Sequence, residues 1–402
     1  MTKRISRREF LSLGLTTALS ACAPKLGMPT AKPSVDISAA KTKYADTTPR
    51  IYAPDDPNLQ YTGRIDFSNP KEPQFSAPGV YLHAHFRGTG VAVMLEDEFQ
   101  WGTNRNYYDA VINEETVVKI TPEKGFTRYE VASGLSNAYQ TITLVKRTEA
   151  SIGFSKFLGI EIAGELTPPG ERPARRIEFI GDSITAGAGI EAFNDSSDCL
   201  VDGWGQPYNN ARLAYGPVLA RSLGAEYHVS AVSGIGLVRN YSFQYDARPM
   251  PDVYDLTFFE QTASPKWDTR LFIPDAVVVA LGTNDFSPGD SEREGMSVDA
   301  FAAAYIAFIE KLRGYYPKAE IFGVSSPMLG DHWPAPADTF ATDQKKAIAL
   351  AVETLNGKGD PKVHAYTSLP IVGIGCGTHP NVEQQAMLAA QLRTAIAPVM
   401  GW

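Results

Sequence analysis

IEFIGDSIT, residues 177–185, decides how the chain is read. Ile177-Glu178-Phe179-Ile180 has the β-forming character of a buried strand, and it runs straight into the turn Gly181-Asp182-Ser183. A serine at the carboxyl end of a strand can present its hydroxyl to a neighbouring base and act as a nucleophile. It can equally cap the helix that follows. On this stretch alone both readings stand.

Working outward, similar apolar runs recur at 226–232, 276–281, 320–325 and 362–366, alternating with helical patterns. In Asp299 to Arg313, Phe301, Tyr305, Phe308, Ile309 and Leu312 fall on one helical face, with Ser297 placed to cap it. Buried strands alternating with helices predict an α/β domain over 177–402, built on a five-stranded, parallel, doubly wound sheet. In such sheets the chemistry gathers at the carboxyl ends of the strands.

Upstream, Thr167-Pro168-Pro169-Gly170-Glu171-Arg172-Pro173 reads as a stiff polar linker, placed at 166–176. Before it, residues 49–165 carry short strand-like runs around 107–112, 117–120, 127–132 and 140–146 without a helical period. Val80 to Phe86 and Val91 to Leu95, joined by Arg87-Gly88-Thr89-Gly90, have the signature of a β-hairpin. This half is expected to be an all-β sandwich. A length of 402 residues accommodates two such domains, and 44% apolar with 20% charged residues is a globular composition. The net charge of −8, without a basic tract in the body, argues against nucleic acid as a partner.

The first residues follow another grammar. Ser6-Arg7-Arg8-Glu9-Phe10-Leu11 matches a twin-arginine export signal, and Leu19-Ser20-Ala21-Cys22 a bacterial lipobox. Residues 1–21 are therefore expected to be a signal peptide, Cys22 a lipidated cysteine, and 22–48 a flexible tether. That places the protein outside the cytoplasm, in the bacterial periplasm or at the cell surface, as a membrane-anchored lipoprotein. In an oxidising compartment the remaining Cys199 and Cys376 are either a disulfide or two buried thiols.

Three more motifs sit at predicted strand ends. Ser230-Ala231-Val232-Ser233-Gly234-Ile235-Gly236 holds a Gly pair that lets a backbone N–H approach a ligand closely, although alone it is only a turn. Leu281-Gly282-Thr283-Asn284-Asp285 offers the Asn284 amide, or an Asx-turn. Gly375-Cys376-Gly377-Thr378-His379-Pro380 sets His379 in a loop before a helix, with no carboxylate in the dozen residues before it. His83 and His85 lie in the β half, and His228 and His364 inside predicted strands; His332, in a loop, is a lesser alternative base.

Taken in this order, the motifs resemble the SGNH, or GDSL, hydrolases. The resemblance implies Ser183 as nucleophile, His379 as base, and the N–H groups of Ser183 and Gly234 with the Asn284 side chain as oxyanion hole, Gly236 being the alternative to Gly234. Gly79-Val80-Tyr81, the run Lys146-Arg147-Thr148-Glu149-Ala150, Phe154 to Gly159 and Met250-Pro251-Asp252-Val253-Tyr254-Asp255 are similar to family two of the carbohydrate esterases. That likeness spans nearly all the chain after the tether. It implies a jelly-roll β half and removal of acetyl groups from plant polysaccharides or oligosaccharides such as xylan and glucomannan, with no metal or organic cofactor.

The chain departs from these relatives around the base. Cys376 stands where most SGNH hydrolases have an aspartate, and Gly377-Thr378 where many family-two esterases carry an acid and a tryptophan. A Ser-His dyad is expected instead, with a main-chain carbonyl taking the proton on Nδ1. Trp333 and Trp204 are the candidates for stacking on a sugar, against the commoner fate of core packing. If the Cys199 and Cys376 loops line one crevice, a bridge between them would hold the histidine loop. The alternatives are an esterase or lipase acting on another acyl ester, and a carbohydrate-binding lipoprotein whose hydrolase half has decayed.

Overall fold

Strand-forming residues punctuated by glycine, asparagine and proline build the first half, and a computed structural model shows how the strands associate. It describes residues 46–402 apart from 100, 101, 103, 193–198, 200–205, 242–247, 289–293 and 333. The signal peptide, Cys22 and all but the last residues of the expected tether lie outside the described residues, as do Trp204 and Trp333. Among the described residues no helix is long and apolar enough to cross a membrane.

The first half is mostly β. Its strands are β1 (Pro49–Tyr52), β2 (Gln60–Thr62), β3 (Gln74–Phe75), β4 (Tyr81–Asp97), β5 (Tyr108–Ile112), β6 (Thr116–Ile120), β7 (Gly125–Ala132), β8 (Ala138–Lys146) and β9 (Ser155–Thr167). They form one antiparallel sheet in the order β1-β9-β4-β8-β5-β6, with β2 and β7 also on β4 and β3 on β9. The hairpin expected at Arg87 to Gly90 is not there: β4 runs through it as one strand. Glycine has two meanings in a strand, a turn or a close approach of backbones, and here it is the second. Gly88 pairs with Gly164 of β9, and a Cβ on Gly88 would lie 2.4 Å from the Ala163 carbonyl oxygen. The register slips between Gly88 and Val91, so that β4 pairs with β8 before the bulge and with β7 after it.

Seven residues, 168–174, lead into the second half, whose strands are β10 (Arg175–Gly181), β11 (Ala225–Ala231), β12 (Ala276–Ala280), β13 (Glu320–Val324) and β14 (Val363–Tyr366). All five pair in parallel, in the order β11-β10-β12-β13-β14. The second half's α-helices among the described residues include α1 (Ser183–Ala186), α2 (Tyr215–Ser222), α3 (Met250–Val253), α4 (Thr283–Phe286), α5 (Val298–Tyr315), α6 (Phe340–Gly357) and α7 (Val382–Met400). Side chains alternate along each strand, so β12 feeds both faces. Val277 and Val279 pack with α5 and α6, while Ala276 and Val278 pack with α2 and α7. Ser297 caps α5 by accepting the Ala300 N–H, and Phe301, Tyr305, Phe308, Ile309 and Leu312 are all buried.

The two halves share one apolar core and are joined by a buried cation. Arg64, between β2 and β3, is fully buried and reaches into the second half. It donates to the carbonyls of Tyr254 and Leu256, each at 2.7 Å, and to Ser230 Oγ at 3.1–3.2 Å. Its guanidinium lies over the rings of Tyr254, Phe259 and Trp267. Glu178 supplies the compensating charge at 3.7 Å and accepts from Ser230 Oγ and the Tyr254 hydroxyl. Removing one member of such a pair strands the other charge away from water. Arg64→Ala is therefore expected to lower the unfolding free energy by about 3–5 kcal/mol, read as a lower urea midpoint. A midpoint equal to the parent's would show that the pair does not hold the halves together.

Candidate active site

The position of Ser183 follows from how β10 stops. Asp182 caps the single-turn α1, its Oδ1 accepting the Ile184 N–H at 3.0 Å, and Gly187 ends the turn in the left-handed region. Ser183 thus becomes the first helical residue, 8% exposed, rather than the cap. Its Oγ lies 2.7 Å from His379 Nε2. Burial pushes the Asp182 carboxyl up to about 6; the Thr283 hydroxyl and the Ile184 N–H draw it down, and Asp285 adds to the rise.

His379 is delivered by a short 3-10 turn, Cys376–Thr378, just before α7, whose start is locked by a capping box between Asn381 and Gln384. The imidazole Nδ1 is 2.9 Å from the Cys376 carbonyl oxygen, which also accepts the His379 backbone N–H at 3.2 Å. A carbonyl only accepts, so Nδ1 carries the proton and Nε2 presents its lone pair to the Ser183 hydroxyl. Burial lowers the imidazole pKa below its ordinary 6.5, with the carbonyls of Cys376 and Gly377 pulling the other way. The neutral, proton-accepting form is therefore the one present near pH 7.

The histidine loop is tied to the Ser183 side by three means. Cys376 is disulfide-bonded to Cys199 across 177 residues of sequence, with a Cα–Cα distance of 5.8 Å. On the chain-entropy account, closing so long a loop is worth about 5 kcal/mol. Cys376 N donates to Gly189 O, and Val382 N to Ile190 O, lacing the loop to the segment after α1. Gln385 on α7 completes the attachment, donating to Ile184 O and accepting from Tyr215 N.

Opposite lies the turn after β11. Gly234 takes a φ of +76°, and Asn284 Nδ2 donates to Ile235 O at 2.7 Å, so the α4 amide is fixed against that turn. Gly236 N–H is engaged by Asn240 Oδ1 at 2.9 Å. Asp285 accepts the N–H groups of Leu237, Val238 and Arg239 at 2.7–3.0 Å. Asp285 and Gln385 were not singled out in the sequence. The only signal for Asp285 was its place in the Gly-Thr-Asn-Asp motif, and for Gln385 its position one turn into a helix.

The other histidines are engaged elsewhere. His332 bonds Pro336 O within its own loop, His364 bonds Glu320 and stacks on Phe322, and His228 is buried against Trp267 and Phe272. His83 and His85 contact each other, Nε2 to Nε2 at 3.0 Å. They line a cavity of about 390 Å³ with Tyr81, Arg172, Arg221 and Tyr227 at the amino-terminal side of β11, which includes none of the expected site residues. Among the described residues no group of three or more His, Cys, Asp or Glu is placed to hold a metal.

Comparison with known proteins agrees along both halves. The family described as carbohydrate esterase 2 N-terminal matches residues 61–169, and the GDSL-like lipase/acylhydrolase family matches residues 179–386. Cellulase/esterase CelE of Acetivibrio thermocellus is 30% identical over 355 residues, 87% of this chain, which spans 40% of that relative's length. An acetylxylan esterase / glucomannan deacetylase of Cellvibrio japonicus is 26% identical over 352 residues, covering 87% of this chain and 91% of that protein. A crystal structure from Corynascus thermopiles (Myceliophthora fergusii), of a carbohydrate esterase family 2 enzyme plus carbohydrate-binding domain, superimposes with a TM-score of 0.76. It is 31% identical and covers 86% of this chain and 100% of that one.

The carbonyl support can be challenged directly. A Cβ on Gly377 would lie 3.5 Å from His379 Nδ1, and its φ of +59° is one that aspartate tolerates better than most residues. Reactivity of Ser183 toward a fluorophosphonate is expected to fall as pH drops through a value below 6.5, where His379 becomes protonated. In Gly377→Asp the new carboxylate favours the protonated ring, so that acidic limb should move upward by about 1–3 pH units. A limb that stays in place would show that the carboxylate does not reach Nδ1.

Proposed function

The chain belongs to family two of the carbohydrate esterases, and from that premise we propose that it removes O-acetyl groups from plant polysaccharides or oligosaccharides with a Ser183–His379 dyad. The observation that carries the reading is the Ser183 Oγ to His379 Nε2 distance of 2.7 Å, with Cys376 O on the far nitrogen. Ser183 Oγ attacks the acetyl carbonyl while Nε2 takes its proton. The negative charge gathering on the carbonyl oxygen is met by the N–H groups of Ser183 and Gly234 and by the Asn284 amide. Gly234 is preferred to Gly236 because the Gly236 N–H already serves Asn240. As the tetrahedral intermediate collapses, His379 returns the proton to the departing sugar oxygen and an acetyl-serine remains. Water, deprotonated by the same Nε2, then releases acetate.

A backbone carbonyl can perform the orienting half of an aspartate's work. It selects the tautomer and holds the ring plane, though it offers no full charge to the imidazolium formed in the transition state. Burial around His379 favours the neutral imidazole. The assembled geometry also weighs against a decayed, purely binding hydrolase half, since a nucleophile and base at hydrogen-bond distance are what disuse would first disperse. For the substrate, the support is the name of the Cellvibrio relative, an acetylxylan esterase / glucomannan deacetylase. Export and anchoring rest on the twin-arginine and lipobox residues. Palmitate label incorporated into the parent and absent from Cys22→Ser is the expected outcome, and label in both would remove the anchor.

Acetate release from acetylated xylan and acetylated glucomannan tests the chemistry. Ser183→Ala is expected to lose at least about 10³-fold in kcat, and Asn284→Ala about 10²–10³-fold. Equal release by the parent and Ser183→Ala would transfer the protein to the binding-module reading. Activity confined to lipid or aryl esters would replace the substrate class.

A further inference from the structure

The run Lys146-Arg147-Thr148-Glu149 leaves the end of β8, and the proposed reaction makes no use of it. All four residues are buried, at 1%, 2%, 0% and 6% exposure. Lys146 Nζ turns back on the run itself, donating to Thr148 O at 2.7 Å and Glu149 O at 2.9 Å, and so holds this backbone in one shape. Thr148 Oγ1 donates to Asn106 Oδ1 at 2.7 Å. Arg147 reaches into the hydrolase half, donating to Asn209 O and pairing with Glu191, while Asp109 holds it from the β half.

Glu149 crosses as well, and its carboxylate meets the turn that follows β11. Glu149 Oε2 accepts the Ser233 N–H at 3.0 Å, one residue before Gly234. On the far side of Gly234, Asn284 Nδ2 holds Ile235 O at 2.7 Å, and Tyr241 N donates to Gly234 O at 2.8 Å. The peptide that carries the Gly234 N–H is thus bracketed by anchors before and after it. Before it, Val232 N also donates to Gly181 O at 3.3 Å, and the side-chain anchor, Glu149, comes from the β half.

A buried carboxylate is an expensive way to join two domains, since an apolar side chain of similar volume would fill the space without desolvating a charge. What the carboxylate adds is a charge-assisted hydrogen bond, stronger and more directional than a neutral one, to one particular N–H. Direction matters here because an oxyanion donor must sit within a few tenths of an ångström of where charge develops.

We propose that Glu149 is a positioning residue for ester cleavage, holding the Ser233 peptide so that the Gly234 N–H points at the developing oxyanion, and that the β half thereby completes the active site. The inference rests on the assignment of Gly234 as an oxyanion donor. Glu149 gives and takes no proton in the reaction; it acts through the backbone it holds.

The test measures kcat and KM for 4-nitrophenyl acetate, with thermal midpoints, for the full chain carrying Glu149→Ala, Glu149→Gln, Asn284→Ala or Ser183→Ala. Glu149→Ala is expected to lower kcat about 10–100-fold, less than loss of a direct donor, with KM within about twofold, as for an interaction made only in the transition state. Glutamine keeps an oxygen that can accept the Ser233 N–H, and Glu149→Gln should recover kcat to within about fivefold of the parent. Parental kcat in Glu149→Ala, alongside inactive Ser183→Ala and weakened Asn284→Ala, would overturn the proposal and leave the dyad reading intact. Glu149→Gln as poor as Glu149→Ala, or both failing to fold, would make Glu149 an ordinary structural bond and also overturn it. Activity surviving in Ser183→Ala would instead remove the catalytic reading on which the proposal stands.

Discussion

The parallel register of β10 between β11 and β12 is the constraint to which the rest of the molecule answers. Gly181 pairs with Ala231 on one side and with Ala280 on the other, so three strands end at one level. Neighbouring strands lie about 4.8 Å apart, and whatever follows them must emerge side by side. The α1 turn with Ser183, the Gly234 turn and the α4 turn with Asn284 are those three continuations. A parallel sheet cannot be built from tight hairpins, so each continuation leads into a long crossover. The site is therefore assembled from segments distant in sequence and adjacent in space.

His379 reaches this edge by another route, since it follows the last strand, β14, by a loop of a dozen residues. A loop of that length does not place a ring by itself. Cys376 places it twice, through a carbonyl that holds Nδ1 and a sulfur bonded to Cys199. The residue that stands where most SGNH hydrolases carry an acid thus contributes main chain to the imidazole and side chain to the cross-link. The lack of a carboxylate in the dozen residues before His379 becomes intelligible once the carbonyl is seen to fix the same tautomer.

The β half is more than an appendage on the hydrolase half. Arg64 penetrates to Glu178 on β10, Arg147 holds the segment before α2, and Glu149 meets the turn after β11. Each buries a charge that is balanced or hydrogen-bonded across the junction. Such contacts stabilise only when both sides are in place, since either partner alone is a buried polar group without its match. That makes the junction cooperative. Events in the β half and the geometry of the turn after β11 are then linked by a short chain of hydrogen bonds.

The sequence by itself determined the strand and helix order of the hydrolase half, the Ser297 cap, and the strand-end positions of Ser183, Gly234 and Asn284. These are local matters, set by period, turn residues and neighbours within a few positions. The sequence misread Arg87 to Gly90, because glycine marks a turn and a crowded crossing alike, and only Gly164 on a distant strand tells them apart. It left open whether Cys199 and Cys376 pair, and it offered no sign that Arg64, Glu149, Asp285 or Gln385 face the site or the junction. Those choices belong to the tertiary structure. They depend on which surfaces meet across 46 to 201 residues of sequence, and no local pattern of charge or hydropathy encodes the partner of a buried polar atom.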